Sequence, residues 1–285
     1  MIHEFSLCNP ESFPRLGRHR ARFSWLRCAA SLMALCAILV SLSPAAHADS
    51  LQALVQRADR ILRGKSSAAV VHMDVKTHGY QRTYKMVIWQ RDDSNRERTL
   101  VKILGPTSWR GYSTLKIGNQ LKFYDPKTNH VQAVGNSMLG DSWMGSHFSN
   151  DDLVKETRLA VDYTPSLISK RVAKNELGQS ATFYRIRLTP KPTAPVVWGR
   201  IEFEVWQHDD LVVPVRCDYF TKVGDKNPVR IMRFYGVKEM DGRWVPSEMQ
   251  ITVASKPGEY TRLTYDKLRF DVDIPASKFT EQAMR

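Results

Sequence analysis

Four residues in this chain could do acid–base or metal chemistry if the fold brought them together: Asp141, His147, Asp151 and Asp152. An imidazole that titrates near neutrality, set among carboxylates, is the raw material of a general base or of a divalent-cation site. A plainer reading competes and is preferred. Asp151 and Asp152 suit the positive end of a short helix, and His147 is then an ordinary loop residue. The remaining histidines after residue 48, His72, His78, His130 and His208, form no pair at zinc-ligand spacing, and Cys217 is the one cysteine there, so a thiolate cluster is excluded. There is no Gly-x-Ser-x-Gly, no phosphate-binding loop and no dinucleotide fingerprint. Without an evident nucleophile the chain does not read as an enzyme, and neither a metal nor a cofactor is expected.

The same stretch carries a second signal. Met138, Leu139, Trp143, Met144 and Phe148 stand among Gly140 and Gly145 with neither helical nor strand periodicity. Apolar side chains in an irregular segment must bury against something. The segment could tuck permanently into the core, or it could offer a patch for another protein. The reading preferred is a movable gate over a greasy cavity. Methionine adapts its shape, and glycine permits the backbone to change course. These five residues are therefore the candidate lipid-binding and gate residues.

The elements that must position them begin after a distinct N-terminal region. Residues 1–27 hold Arg15, Arg18, Arg20, Arg22 and Arg27 against Glu4 and Glu11. An apolar run from Cys28 to Leu42 follows, then Pro44-Ala45-Ala46-His47-Ala48. Basic segment, apolar segment and small-residue site together predict a secretory signal peptide cleaved after Ala48. The apolar run is shorter than the roughly twenty residues of a membrane span, which weighs against an uncleaved anchor. Export to the periplasm is expected, and residues 49–285 then form a single domain. With Cys217 its one cysteine, that domain has no internal disulfide and relies on a core. It keeps a net charge of about +10, spread along the chain rather than blocked. The preferred reading is an ordinary solvated basic surface, and the functional alternative is attraction to anionic lipid headgroups or an acidic partner; nucleic acid is not expected in that compartment.

Ser50 followed by Leu51, Leu54, Val55, Ala58, Ile61 and Leu62 predicts a capped helix that stops at Gly64. Beyond it the period changes to two and stays there. Strands are predicted over 68–77, 80–90, 97–104, 112–117, 120–124, 130–134, 167–175, 180–189, 200–207, 212–222, 228–239, 243–254 and 259–272. Short links favour an antiparallel meander. A helix capped by Ser149 or Asn150 and running to about Arg158 interrupts it. A long antiparallel sheet with one helix before it and one inserted can curl over the helices or split into a sandwich. The apolar insertion favours the curled, half-open barrel.

At these residues the chain resembles a known family. Ile117-Gly118-Asn119, then a strand ending Phe123-Tyr124-Asp125-Pro126, is similar to a hairpin of periplasmic lipoprotein-localisation carriers of the LolA type. The run Met138-Leu139-Gly140-Asp141-Ser142-Trp143-Met144-Gly145, with Phe148-Ser149-Asn150-Asp151-Asp152-Leu153, resembles a divergent branch known as outer-membrane lipoprotein-sorting proteins. The likeness extends to the closing Ile274-Pro275-Ala276-Ser277-Lys278-Phe279. It implies a mainly β half-barrel covered by helices, with an apolar concavity that holds the acyl chains of a lipid or lipidated protein cargo and carries it toward the outer membrane, without catalysis. It also implies an inner-membrane transporter as partner and transient membrane contact. A lipid-sensing or adaptor subunit working with an inner-membrane lipid exporter is the alternative. The chain departs from the LolA carriers in extra strand material near 190–260, and the lid-locking arginine of those carriers has no counterpart identifiable from sequence.

Overall fold

The computed structural model describes residues 50–93, 96–154, 159–194 and 196–285. The proposed signal peptide, residues 155–158 of the helix predicted from sequence, and Pro195 lie outside the described residues. Among the described residues no helix is long and apolar enough to cross a membrane.

Helix α1 (Leu51–Asp59) opens as predicted: the Ser50 hydroxyl accepts the Ala53 amide at 3.1 Å. It ends at Asp59, five residues before Gly64. Gly64 serves another purpose. A Cβ there would stand 2.7 Å from the Asp271 carboxylate and 2.9 Å from the Ser66 carbonyl. Glycine lets the chain pass close enough for the Lys65 amide to donate to Asp271 at 2.9 Å.

Thirteen strands follow: β1 (Ser66–Lys76), β2 (Gln81–Asp93), β3 (Arg96–Gly105), β4 (Ser113–Ile117), β5 (Gln120–Asp125), β6 (His130–Ala133), β7 (Tyr163–Lys174), β8 (Ser180–Pro190), β9 (Arg200–His208), β10 (Leu211–Phe220), β11 (Arg230–Met240), β12 (Arg243–Val253) and β13 (Tyr260–Phe270). Each predicted strand is present. The largest error is at β7, which begins four residues before the predicted 167. All pairings are antiparallel, in one sheet ordered β6-β5-β4-β3-β2-β1-β13-β12-β11-β10-β9-β8-β7. The first and last strands are therefore neighbours mid-sheet, and β6 and β7, consecutive in sequence, are its two edges.

That order dictates the rest. Edge to edge, thirteen strands span about 58 Å at ~4.8 Å per step if laid flat. The connection 134–162 has to cross a face of the sheet to join its edges. Curling shortens the distance. Register shifts at Val70/Val71, Lys85/Met86, Leu167/Ser169 and Pro214/Arg216 coil the strands. Pro214, which has no N–H for the ladder, sits beside one of them.

The concave face is read from the register. Met73 lies between Tyr84 and Leu263, and Val71 between Met86 and Tyr265. Met73, Tyr84 and Met86 are fully buried, each contributing about 1.5–3 kcal/mol. Two covers lie on this face. At one end Leu54, Val55 and Ala58 of α1 pack on Ile186, Phe203, Val205 and Cys217. At the other, Trp143 of the crossing segment packs on β1, β2 and β3. On the convex face the C-terminal residues Ile274, Phe279 and Met284 cover Leu100, Leu115 and Tyr124. Met284 belongs to a helix that sequence reading missed, Glu281–Met284, whose cap is Thr280.

Candidate functional site

The crossing segment is tied to itself first. Ser142 and Ser149 form an antiparallel bridge. The amides of Asn150 and Asp151 donate to the carbonyls of Asp141 and Leu139 at 2.9 and 2.8 Å, and Asn150 Nδ2 donates to the Met138 carbonyl. A short helix, α2 (Asn150–Val154), starts from this loop. Its cap is reciprocal: the Ser149 hydroxyl accepts the Asp152 amide at 3.2 Å, and the Asp152 carboxylate accepts the Ser149 amide at 2.7 Å. A further helix turn, α3 (Leu159–Asp162), leads into β7.

The loop's tip is then pinned to the sheet. Trp143 Nε1 donates to Thr114 Oγ1 at 3.2 Å, and the Tyr84 hydroxyl donates to the Met144 carbonyl at 3.0 Å. Met144 and Gly145 both adopt left-handed backbone, with φ of 54° and 72°. At Gly145 this backbone would strain any residue with a Cβ, and the Tyr80 hydroxyl that donates to its carbonyl would also have to shift. His147 is anchored from both sides of its ring, by Thr261 at 2.9 Å and Glu259 at 3.2 Å. Burial pushes its pKa below the usual histidine value. Glu259, which also accepts the His78 amide, is held at about 2.

Between the two covers lies a cavity of about 270 Å³. Its floor is Phe203, Cys217, Met232, Phe234, Met249 and Tyr265, and its roof is Ala58, Ile61 and Leu62 with Phe148 and Leu153. Burial raises the Cys217 thiol and the Tyr219 phenol, and pushes Tyr265 up to about 12, so these groups stay neutral. Charged side chains line it too: Asp59 and Arg63 beside the roof, and Asp151, Asp152 and Arg230 on the outward side. Arg230 Nη1 donates to both oxygens of Asp152, at 2.8 and 2.9 Å. The side chains are 9 and 22 % exposed. The guanidinium also faces Tyr219 at 5.5 Å, and Trp198 and Phe148 at 5.9 Å each. Beyond this pair opens a shallower cleft of about 800 Å³. Asp151, Asp152, Val197, Trp198 and Arg230 line both spaces, so they form the partition between the cavity and the outside.

The five candidate residues are not gathered at one point. Phe148 lines the cavity, Leu139 the outer cleft, and Trp143 and Met144 a second hollow beyond the tip. Met138 serves the loop itself, through its carbonyl and a 3.8 Å contact of its sulfur with Gln132. Trp143, 5 % exposed, is part of the core. The carboxylates and imidazole first weighed as a reactive cluster have separate partners: Asp152 holds Arg230, and His147 holds Glu259 and Thr261. Among the described residues no three acidic, histidine or cysteine side chains are grouped to hold a metal ion. Arg230 went unnoticed in the sequence. Its signal was there, since it alternates with Met232 and Phe234 and so points inward with them.

A family profile described as that of an uncharacterized protein matches residues 95–285, two thirds of the sequence. The chain belongs to this family. No curated protein matches it. Its fold is similar to that of several solved structures, a LolA superfamily protein among them. A DUF1329 family protein from Desulfovibrio piger has a TM-score of 0.68 and 21 % identity, over 82 % of this chain and 97 % of that one. An outer membrane lipoprotein-sorting protein domain from Vibrio parahaemolyticus scores 0.65 at 17 % identity, over 82 and 97 %. A LolA superfamily protein from Nitrosomonas europaea scores 0.63 at 20 % identity, over 83 and 100 %.

Proposed function

We propose that this protein is a periplasmic carrier that takes acyl chains of a lipoprotein or lipid into the cavity under the 134–162 crossing and conveys them toward the outer membrane, without catalysis. The observation that carries this is a partly enclosed, mainly apolar cavity covered by a loop-built segment, with the Asp152–Arg230 ion pair on its outward side. Taking an acyl chain from water gains about 0.8 kcal/mol per CH2, so a container is needed for transit. At about 270 Å³ the cavity is at the lower limit of ligand sites, roughly 300–1,000 Å³. Moving Asp151 and Asp152 away from Trp198 and Arg230 would merge it with the outer cleft. Separation of Asp152 from Arg230 is the step that loading requires, and the way in runs between α2 and Val197–Trp198. The likeness to lipoprotein-sorting domains supports the same reading at the level of fold. In this proposal residues 1–48 are the signal peptide, residues 49–285 travel through the periplasm, an inner-membrane transporter supplies the cargo, and the basic surface makes transient membrane contact.

The test is native mass spectrometry of the protein purified from a bacterial periplasm without detergent, followed by lipid extraction. A chain beginning at Asp49 with near-stoichiometric lipid is expected. A protein that is empty and also refuses added fatty acid and phospholipid would overturn the carrier reading.

A further inference from the structure

The tip Trp143–Gly145 has a hollow on its other side as well, of about 570 Å³ and open to solvent. Its floor is apolar: Ile103, Phe123 and Trp143. Its walls are the rings of Tyr80, Trp109 and Tyr112. Trp109 stands edge-on to Tyr84 at 5.6 Å and tilted against Tyr112 at 5.0 Å, which fixes the wall.

One cation is built into that wall. The Arg82 guanidinium faces Tyr80 at 5.2 Å, Trp109 at 5.6 Å and Tyr84 at 5.8 Å. It donates one hydrogen bond, from Nη1 to the Tyr84 hydroxyl at 3.1 Å. That hydroxyl is itself spent on the Met144 carbonyl. Among the described residues no carboxylate pairs with Arg82, and the groups that act on its charge are Tyr84 and Tyr80. The one acid lining the hollow, Asp125, is already engaged by the Lys127 amide at 2.8 Å and by Tyr112. An oriented guanidinium over an apolar bowl, with donors to spare, recognises an anion that carries an apolar body.

We propose that this hollow is a second binding site, for an amphiphile whose carboxylate or phosphate meets Arg82 while its chain lies on Ile103, Phe123 and Trp143. The site is separated from the carrier cavity by the tip and does not depend on it. A fatty acid and a phospholipid headgroup share this chemistry. Because the ligand would press on the underside of Trp143 and Met144, its occupancy reaches the cover of the main cavity directly.

The experiment is NMR titration of the lipid-stripped exported protein with decanoate, decyl phosphate, decanol and inorganic phosphate. The indole N–H of Trp109 reports the second hollow, and that of Trp198 reports the main cavity and the cleft that leads to it. Both anionic amphiphiles are expected to shift Trp109, and Arg82→Met to weaken them about tenfold while leaving decanol unchanged. Arg82→Lys, which keeps the charge, retains part of the effect and serves if the methionine variant does not fold. Tighter decanoate assigns a fatty acid, tighter decyl phosphate a phospholipid head. A silent Trp109, equal losses for decanol and the anions, or inorganic phosphate binding as well as decyl phosphate would each overturn the proposal. A silent Trp198 with a responsive Trp109 would instead count against the carrier cavity alone.

Discussion

Asp152→Asn separates the gate from the core most cleanly. The substitution keeps the shape and one acceptor for the Ser149 amide, so the α2 cap survives in part. It removes the charge that Arg230 holds at 2.8 and 2.9 Å. Breaking a fully buried pair costs about 3–5 kcal/mol, because the remaining charge is stranded. Here the cost is smaller. Asp152 is 22 % exposed, and the guanidinium keeps its three rings. About 2–3 kcal/mol is expected, and it falls on the docking of the insert rather than on the sheet. At 1.4 kcal/mol per tenfold that is an increase of roughly 30- to 150-fold in local opening. Hydrogen exchange measures it at the amides of Asn150 and Asp151, which are protected by Asp141 and Leu139. Amides of β1, paired on both sides mid-sheet, serve as the reference. Unchanged exchange at Asn150 and Asp151 would mean the pair holds nothing shut. Equal acceleration in β1 would mean the insert is an integral part of the fold. Either result refutes the gate.

The tip itself should behave differently from its flanks. Trp143→Ala removes a side chain that is 5 % exposed and hydrogen-bonded to Thr114. A loss of about 3 kcal/mol is expected, and a fall in Tm of about 10 °C by calorimetry. A change under 2 °C would show that Trp143 is not an anchor. Acidification should loosen the same loop. His147 is docked next to Glu259, Thr261, Lys256 and Arg230, and its pKa is lowered chiefly by burial, with Lys256 and Arg230 adding to this and Glu259 opposing. The neutral ring is favoured when docked, while an undocked ring titrates near 6.5. Docking is thus complete above that value and weakens as pH falls toward the lowered one. Exchange at residues 146–150 should rise between pH 7.5 and 5 beyond the intrinsic pH effect, and His147→Gln should abolish that excess. A loop equally protected at both pH values would refute the assignment.

How much of this was legible in advance differs by level. The thirteen strands were readable because alternation is local: Ile201, Phe203 and Val205 face inward whatever their partners are. A cap at Ser149 or Asn150 was readable for the same reason, and the structure uses Ser149, whose hydroxyl and amide pair with Asp152 within one turn. The end of α1 was misread, because Gly64 answers to Asp271, which is 207 positions away in sequence.

The sequence alone determined a β-rich chain, an apolar insertion after β6 and the residues worth watching within it. Tertiary structure decided what those residues do. Pairing of β1 with β13 sends β6 and β7 to opposite edges, which obliges their connection to cross one face of the sheet, and the burial of Trp143 against Met73, Tyr84 and Met86 makes that the concave face. It also divides the five apolar candidates among a cavity, a cleft and a second hollow. Arg230 meets Asp152 only because the connection crosses the sheet, and Arg82 meets Trp109 because β2 pairs with β3, whose end leads into Trp109. Strand periodicity fixes which face a side chain takes, whereas its partner across a cavity depends on strand order and curvature, which no local pattern encodes.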